Sequence, residues 1–360
     1  MAANELKFLE SDLLAMGAFF VRVSIAAEAA QIASRNVTCA DNLVDTGFVN
    51  GMAQKFATAV KAAELGYAEA HRFFVEAGYA EDLFAEMMDA FRLVMLVERL
   101  NNGEETSDSI KGAWAHYFPN EPIPDDPHKI ISALTNKRNE LCLNIASTYF
   151  GAEDVKKQLE KLPNEPVNYF DQAMELACGA IITLGLFLRV YGVENSDFRA
   201  QAKTRLGFVV TALTHLNDKD TYDETNGAQF ARKVFGDLLP HEGTSDQVKH
   251  IEQSCYNKNH HGNGWEMHGN RGTIGIAPGD VIFYGYKKEN GNYTWSHVRI
   301  YIGNGKTIES TDATYYINGE KITANGVHVR SIDIPVTHKI DGGQTENAGV
   351  YGYASPPGTH

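Results

Sequence analysis

The chain reads as an α+β protein: an all-α N-terminal region, residues 1–216, followed by a helix packed on an antiparallel sheet, residues 217–360. Two observations carry this. From Glu5 to about His215, apolar residues recur every three or four positions among Ala, Leu, Glu, Lys and Met, the pattern of packed amphipathic helices. Beyond Asn217 the composition turns to Gly, Tyr, Thr, Ile and Val in short alternating runs bounded by Gly and Asn.

In the first part, Phe8, Leu13, Leu14 and Phe20 open one helix, and Ala68 to Leu100 reads as another long one. Breaks fall at Asn101-Asn-Gly-Glu-Glu, between Pro119 and Pro127 and between Pro163 and Pro166, giving a bundle of six to eight helices. The apolar run from Leu176 to Leu188 is shorter than the roughly 20 residues of a spanning helix, so it reads as a buried core helix and no membrane span is expected. In the second part, Ala228 to Leu239 is helical. Strands are expected at Asp280–Tyr286, Trp295–Ile302, Thr307–Ser310, Gly326–Ile332 and Gly349–Tyr353, with Asn304-Gly305 as a hairpin turn.

The chain's 360 residues suit two domains, and 43% apolar with 22% charged residues is a globular composition. The formal net charge of −14, from 32 Lys and Arg against 46 Asp and Glu, argues against nucleic acid as a partner, because gripping phosphates takes clustered cations. Four scattered cysteines without a CxxC pair indicate neither a disulfide scaffold nor a zinc site. Cys39, Cys142 and Cys178 fall in helical apolar patterns as core thiols. The loop Asn259 to His268 holds three histidines and a Glu, but at no spacing that fits a metal-ligand template, so no metal or cofactor is expected. Acidic residues among the first twelve positions do not read as a classical signal peptide.

Three segments of the second part resemble the NlpC-type papain-like superfamily of bacterial cell-wall endopeptidases and amidases. Pro278-Gly-Asp-Val-Ile-Phe-Tyr284 is close to the Gly-Asp-Leu-Val-Phe-Phe that opens that family's first core strand. Ser296-His-Val-Arg-Ile-Tyr-Ile-Gly-Asn-Gly-Lys306 is nearly the family's Ser-His-Val-Gly-Ile-Tyr-Ile-Gly-Asn-Gly-Lys hairpin, which carries the catalytic His. Thr307-Ile-Glu-Ser310 falls where the family has its third polar catalytic residue.

The resemblance implies a cysteine hydrolase with His297 as base, since a thiol attacks an amide as thiolate and needs an oriented imidazole beside it. Glu309 is the expected orienter of that imidazole, with Asp312 as the alternative. The family's nucleophile opens a helix, and Phe230 in Thr225-Asn-Gly-Ala-Gln-Phe230 aligns that pattern so that Gly227 stands where the cysteine belongs. A shift of one position makes Ala228 the replaced residue. Cys255 is the competing nucleophile, though its surroundings do not match the family's helix and the segment after Tyr256 reads as loop. Tyr222, Asn226 and Trp265 are expected to bind substrate, Trp265 as a stacking surface.

The implied substrate is a peptide bond in peptidoglycan. Without a classical leader, the implied setting is a secreted antibacterial effector of type VI kind, acting in the periplasm of a target cell, or a phage-type lysin, with cytoplasmic residence otherwise. A cognate immunity protein or secretion adaptor would accompany an effector. Acyl transfer, deamidation or proteolysis on a host lipid or protein, and a non-catalytic cleft-binding module, are the other expectations.

Overall fold

The computed structural model describes residues 80–359 except 102, 104–106, 164–167, 192–195, 257–263, 270–275, 288–292, 313, 318–319, 333, 335 and 340–344. The helix expected around Phe8–Phe20, residues 68–79 of the next, Cys39 and the His260-His261 pair lie outside the described residues. The chain forms two compact units, Met1–Ala85 and Glu86–His360, and nearly all described residues belong to the second.

The first six helices among the described residues are α1 (Ala80–Asn101), α2 (Ser107–Tyr117), α3 (Pro127–Phe150), α4 (Val155–Leu159), α5 (Tyr169–Tyr191) and α6 (Ser196–Thr214). The Pro-rich stretch ahead of α3 sets its start. Asp126 accepts the His128 N–H at 3.0 Å as cap, and Pro127 stands at the first helical position, where no N–H is needed. Leu93 and Val97 of α1, Trp114 of α2, and Ile130 and Leu134 of α3 form one apolar cluster. No helix among the described residues is long and apolar enough to cross a membrane.

Two further helices follow, α7 (Gly227–Phe235, continued by a 3-10 turn at Gly236–Leu238) and α8 (Thr244–Tyr256). Then come β1 (Glu266–Gly269), β2 (Val281–Lys287), β3 (Tyr293–Gly303), β4 (Lys306–Thr311), β5 (Thr314–Ile317), β6 (Glu320–Thr323), β7 (Gly326–Ser331), β8 (Val336–Lys339) and β9 (Thr345–Ser355). The antiparallel sheet runs β1-β9-β2-β3-β4-β7, with β8 also paired to β9 and β5–β6 a separate hairpin. Tyr284 pairs with His297, Ile300 with Ile308, and Glu309 with His328, so the segments singled out in the sequence lie on adjoining strands. The fold is α+β, and each of the five expected strands is present within a few residues of its expected bounds.

The expected division at 216/217 differs from the structure, where that position falls inside the second compact unit. Helices α5, α6, α7 and α8 all pack against β3. The β3–β4 turn makes the contact with α5 intimate. A Cβ on Gly303 would stand 2.9 Å from the Cα of Ala180, and one on Gly179 would stand 3.2 Å from the Cβ of Asn304. The Asn304 N–H donates to the Thr183 hydroxyl at 3.1 Å. Asn304 and Gly305 both have positive φ, +48° and +67°, as the tight hairpin turn requires and as Asn-Gly tolerates.

Helix α6 is joined as firmly. Buried Arg205 donates from Nη1 to Asp280 Oδ1 at 2.6 Å and to the Pro278 carbonyl at 3.2 Å, and from Nε and Nη2 to the Thr359 carbonyl. Asp280 Oδ2 accepts the Ala277 N–H at 2.7 Å. Burial holds the Asp280 carboxyl above the usual carboxylate range, outweighing the guanidinium that pulls it down. An apolar helix-on-sheet contact therefore also carries a satisfied buried ion pair.

Candidate active site

Helix α7 starts with a capping box. Asn226 Oδ1 accepts the N–H groups of Ala228 and Gln229 at 3.0 Å each, and Gln229 Oε1 accepts the Asn226 N–H at 2.9 Å. Its apolar face buries Phe230, Ala231, Val234 and Phe235. Gly227 is thus the first helical residue, and among the described residues nothing accepts its N–H.

Gly227 faces His297 of β3. A Cβ built on it would lie 3.1 Å from His297 Nδ1, 2.9 Å from Cε1 and 3.3 Å from the Ser310 carbonyl. The missing side chain would point at the imidazole, and the ring would shift to admit it. His297 is 7% exposed. Its Nε2 meets Glu309 Oε2 in a short contact, which puts the proton on Nε2 and turns the Nδ1 lone pair toward Gly227.

Glu309 is fully buried on β4. Arg299 Nε donates to its Oε2 at 2.8 Å and Arg330 Nη1 to its Oε1 at 2.7 Å. Burial pushes its carboxyl up, but His297, Arg299 and Arg330 together hold it far below the usual carboxylate range. Arg299 also lies over the Tyr284 ring, 4.8 Å from its centroid, and donates to the Ile334 carbonyl at 2.7 Å.

The loop leading into α7 is tied to β4 and β7. The Ser310 hydroxyl donates to the Thr225 carbonyl, and the Thr225 hydroxyl to Asp220 Oδ2 at 2.9 Å. The Tyr222 N–H donates to Asn325 Oδ1 at 2.9 Å. Gly326 has φ +114°, and a Cβ there would stand 2.6 Å from the Asp220 carbonyl, so only glycine lets the loop lie this close to β7.

The structure brings together Gly227, His297 and Glu309 and leaves their alternatives aside. Asp312 is exposed just beyond β4 and acts through its charge on Tyr222. Ala228 is the second helical residue, buried, with its carbonyl accepting from Gln247 Nε2 at 2.7 Å. Cys255 lies in the last turn of α8.

One expected substrate contact is corrected. Trp265 is 3% exposed, its indole N–H donates to the Leu238 carbonyl at 2.8 Å, and its ring stands 5.3 Å from that of Phe235. It braces α7 from within the core and offers no open face for stacking. The side-chain carbonyl of Asn226 is committed to the helix cap. Tyr222 is half-buried beside the site, where burial first, then Asp312, Glu309 and Asp223, push its hydroxyl above the usual value.

Sequence reading missed the two arginines on Glu309. One sign was present: in the quoted hairpin, Arg299 stands where the resembled family has Gly, and an acidic Glu309 buried nearby needs a cation. Among the described residues no three His, Cys, Asp or Glu side chains converge as metal ligands. The chain matches no protein-family model, no curated protein and no solved structure.

Proposed function

We propose that the second unit is an NlpC-type papain-like cysteine-hydrolase scaffold for peptidoglycan peptides, with glycine at the nucleophile's position. One observation carries the reading: the absent side chain of Gly227, at a helix N-terminus, points at the imidazole nitrogen opposite the one bound by a buried carboxylate. A thiol there would find a base in His297 Nδ1, an orienting anion in Glu309 and the positive end of α7. The Gly227 N–H would donate to the oxyanion of an attacked carbonyl.

With a cysteine at 227, the thiolate adds to the amide carbonyl, and protonated His297 delivers its proton to the leaving amine. Water, deprotonated by His297, then frees the acid from the thioester. As written, the chain has no thiol at this position and performs no such chemistry. Delivery as a secreted effector, together with an immunity protein or an adaptor, belongs to the same proposal and rests on the resemblance alone.

A second reading draws on Gly227 itself. With the helix cap supplied by Asn226 and Gln229, glycine at 227 lets His297 lie against the helix start, which suits a cleft that binds a peptide without cutting it. Purified peptidoglycan digested with this protein and with its Gly227→Cys variant separates the readings through released muropeptides in mass spectrometry. Release by the variant alone supports the hydrolase scaffold. Equal release by both moves the nucleophile away from 227, and silence in both, with sacculus binding retained, favours the binding module.

A further inference from the structure

A cavity of about 1270 Å³ lies between α1, α3, α5 and the edge of the sheet at β4 and β7. Arg138 of α3, Lys306 of β4 and Arg330 of β7 line it, three cations in a chain whose net charge is −14. Arg138 carries the argument. Its side chain is 2% exposed, and its Nε and Nη2 share one neutral acceptor, Asn139 Oδ1, at 3.1 and 3.0 Å. Among the described residues its nearest carboxylate, on Glu175, stands 3.8 Å from Nη1 and is 48% exposed. A buried guanidinium with so little anionic compensation is costly unless something else supplies the charge.

Lys306 makes no ion pair with a described carboxylate, while Arg330 is engaged at Nη1 by Glu309. The two acidic lining residues, Asp171 and Glu175, are both exposed and solvated. Hydroxyls of Ser132 and Thr135 add donors, and Val97, Leu176 and Ile334 give the cavity an apolar side. Convergent polar groups over an apolar wall are the composition of a small-molecule site.

We propose that this cavity binds a small organic anion, a carboxylate or phosphate on an apolar body, with the anionic group between Arg138 and Lys306. The site is separate from the Gly227–His297 pair but linked to it through one side chain, because Arg330 lines the cavity and also holds Glu309.

Isothermal titration calorimetry of the full chain with octanoate, with phenyl phosphate and with uncharged octanamide tests the proposal. We expect one anion to bind with a dissociation constant of about 1 mM or tighter and octanamide to bind far more weakly; which anion wins tells carboxylate from phosphate. Arg138→Gln and Lys306→Gln should each weaken binding about tenfold or more, the scale of a lost charge-assisted hydrogen bond. Circular dichroism checks that each variant folds, and if Arg138→Gln does not, the more exposed Lys306→Gln decides. Absence of binding by both anions at about 10 mM, equal binding of octanamide, or binding unchanged in the folded variants overturns the proposal.

Discussion

Arg330 Nη1 holds one oxygen of Glu309 at 2.7 Å while His297 Nε2 holds the other, so a single carboxylate is at once the imidazole's partner and the counter-ion of a buried guanidinium. Arg299 shares the oxygen that faces His297. Removing Glu309 would strand two cations inside the sheet. Glu309→Ala should lower stability by about 3–5 kcal/mol, measured by urea denaturation, and Arg299→Met in that background should restore part of it. Unchanged stability in Glu309→Ala would mean the network contributes nothing.

Acid should act through the same group. Unfolded, Glu309 titrates near its ordinary value of 4.5, whereas folded it resists protonation far below that. Its stabilisation is therefore fully present above 4.5 and is lost as the pH falls below it toward the folded-state value. The slope from this group alone approaches ~1.4 kcal/mol per pH unit. Glu309→Gln, compared with the parent by urea midpoints between pH 5 and 3, should show a shallower fall. Parallel curves would contradict the assignment.

At the other end of the imidazole, a cysteine at position 227 should be an unusual thiol. In Gly227→Cys we expect alkylation by iodoacetamide at pH 6, well below the ordinary thiol value of about 8.5, and loss of that reactivity in the Gly227→Cys, His297→Ala double variant. Peptide mass spectrometry resolves this site from Cys142 and Cys178, which are fully buried. An alkylation profile indistinguishable from free cysteine would show that His297 does not act on this position.

Much of this site was legible in the sequence. Alternating strands around Asn304-Gly305, His297, Glu309 and the glycine at 227 all follow from local pattern and a short resemblance. What escaped depends on contacts distant in sequence. Helix α8 went unread because apolar residues are sparse along it: up to Glu252, Val248 and Ile251 are its buried apolar side chains, joined by the amide of Gln247. Trp265 looked like an exposed platform because it follows a Gly- and Asn-rich stretch, yet its indole finds Leu238, 27 residues away. The apolar run in α5 does read as core, but nothing local says that a hairpin tip is among the things it buries.

That tip makes a further expectation. With Gly303 against Ala180, Asn304 on Thr183 and Arg205 clamping Asp280, the sheet borrows its support from α5 and α6. A fragment of residues 217–360 should lack a cooperative thermal transition, while residues 86–360 should melt as one unit. A folded 217–360 fragment, seen by dispersed amide resonances, would refute that dependence.

The capping box at α7 has an evolutionary consequence. Because Asn226 and Gln229 start the helix between them, residue 227 has no structural duty of its own beyond clearance for the imidazole. Two of the four glycine codons lie a single base from a cysteine codon, so a gene that uses either of them at this position stands one point mutation from a thiol at the helix start. Under the proposed function, exchange of glycine and cysteine at this position would switch the site without rebuilding the fold, and a survey of natural variants at position 227 would show it.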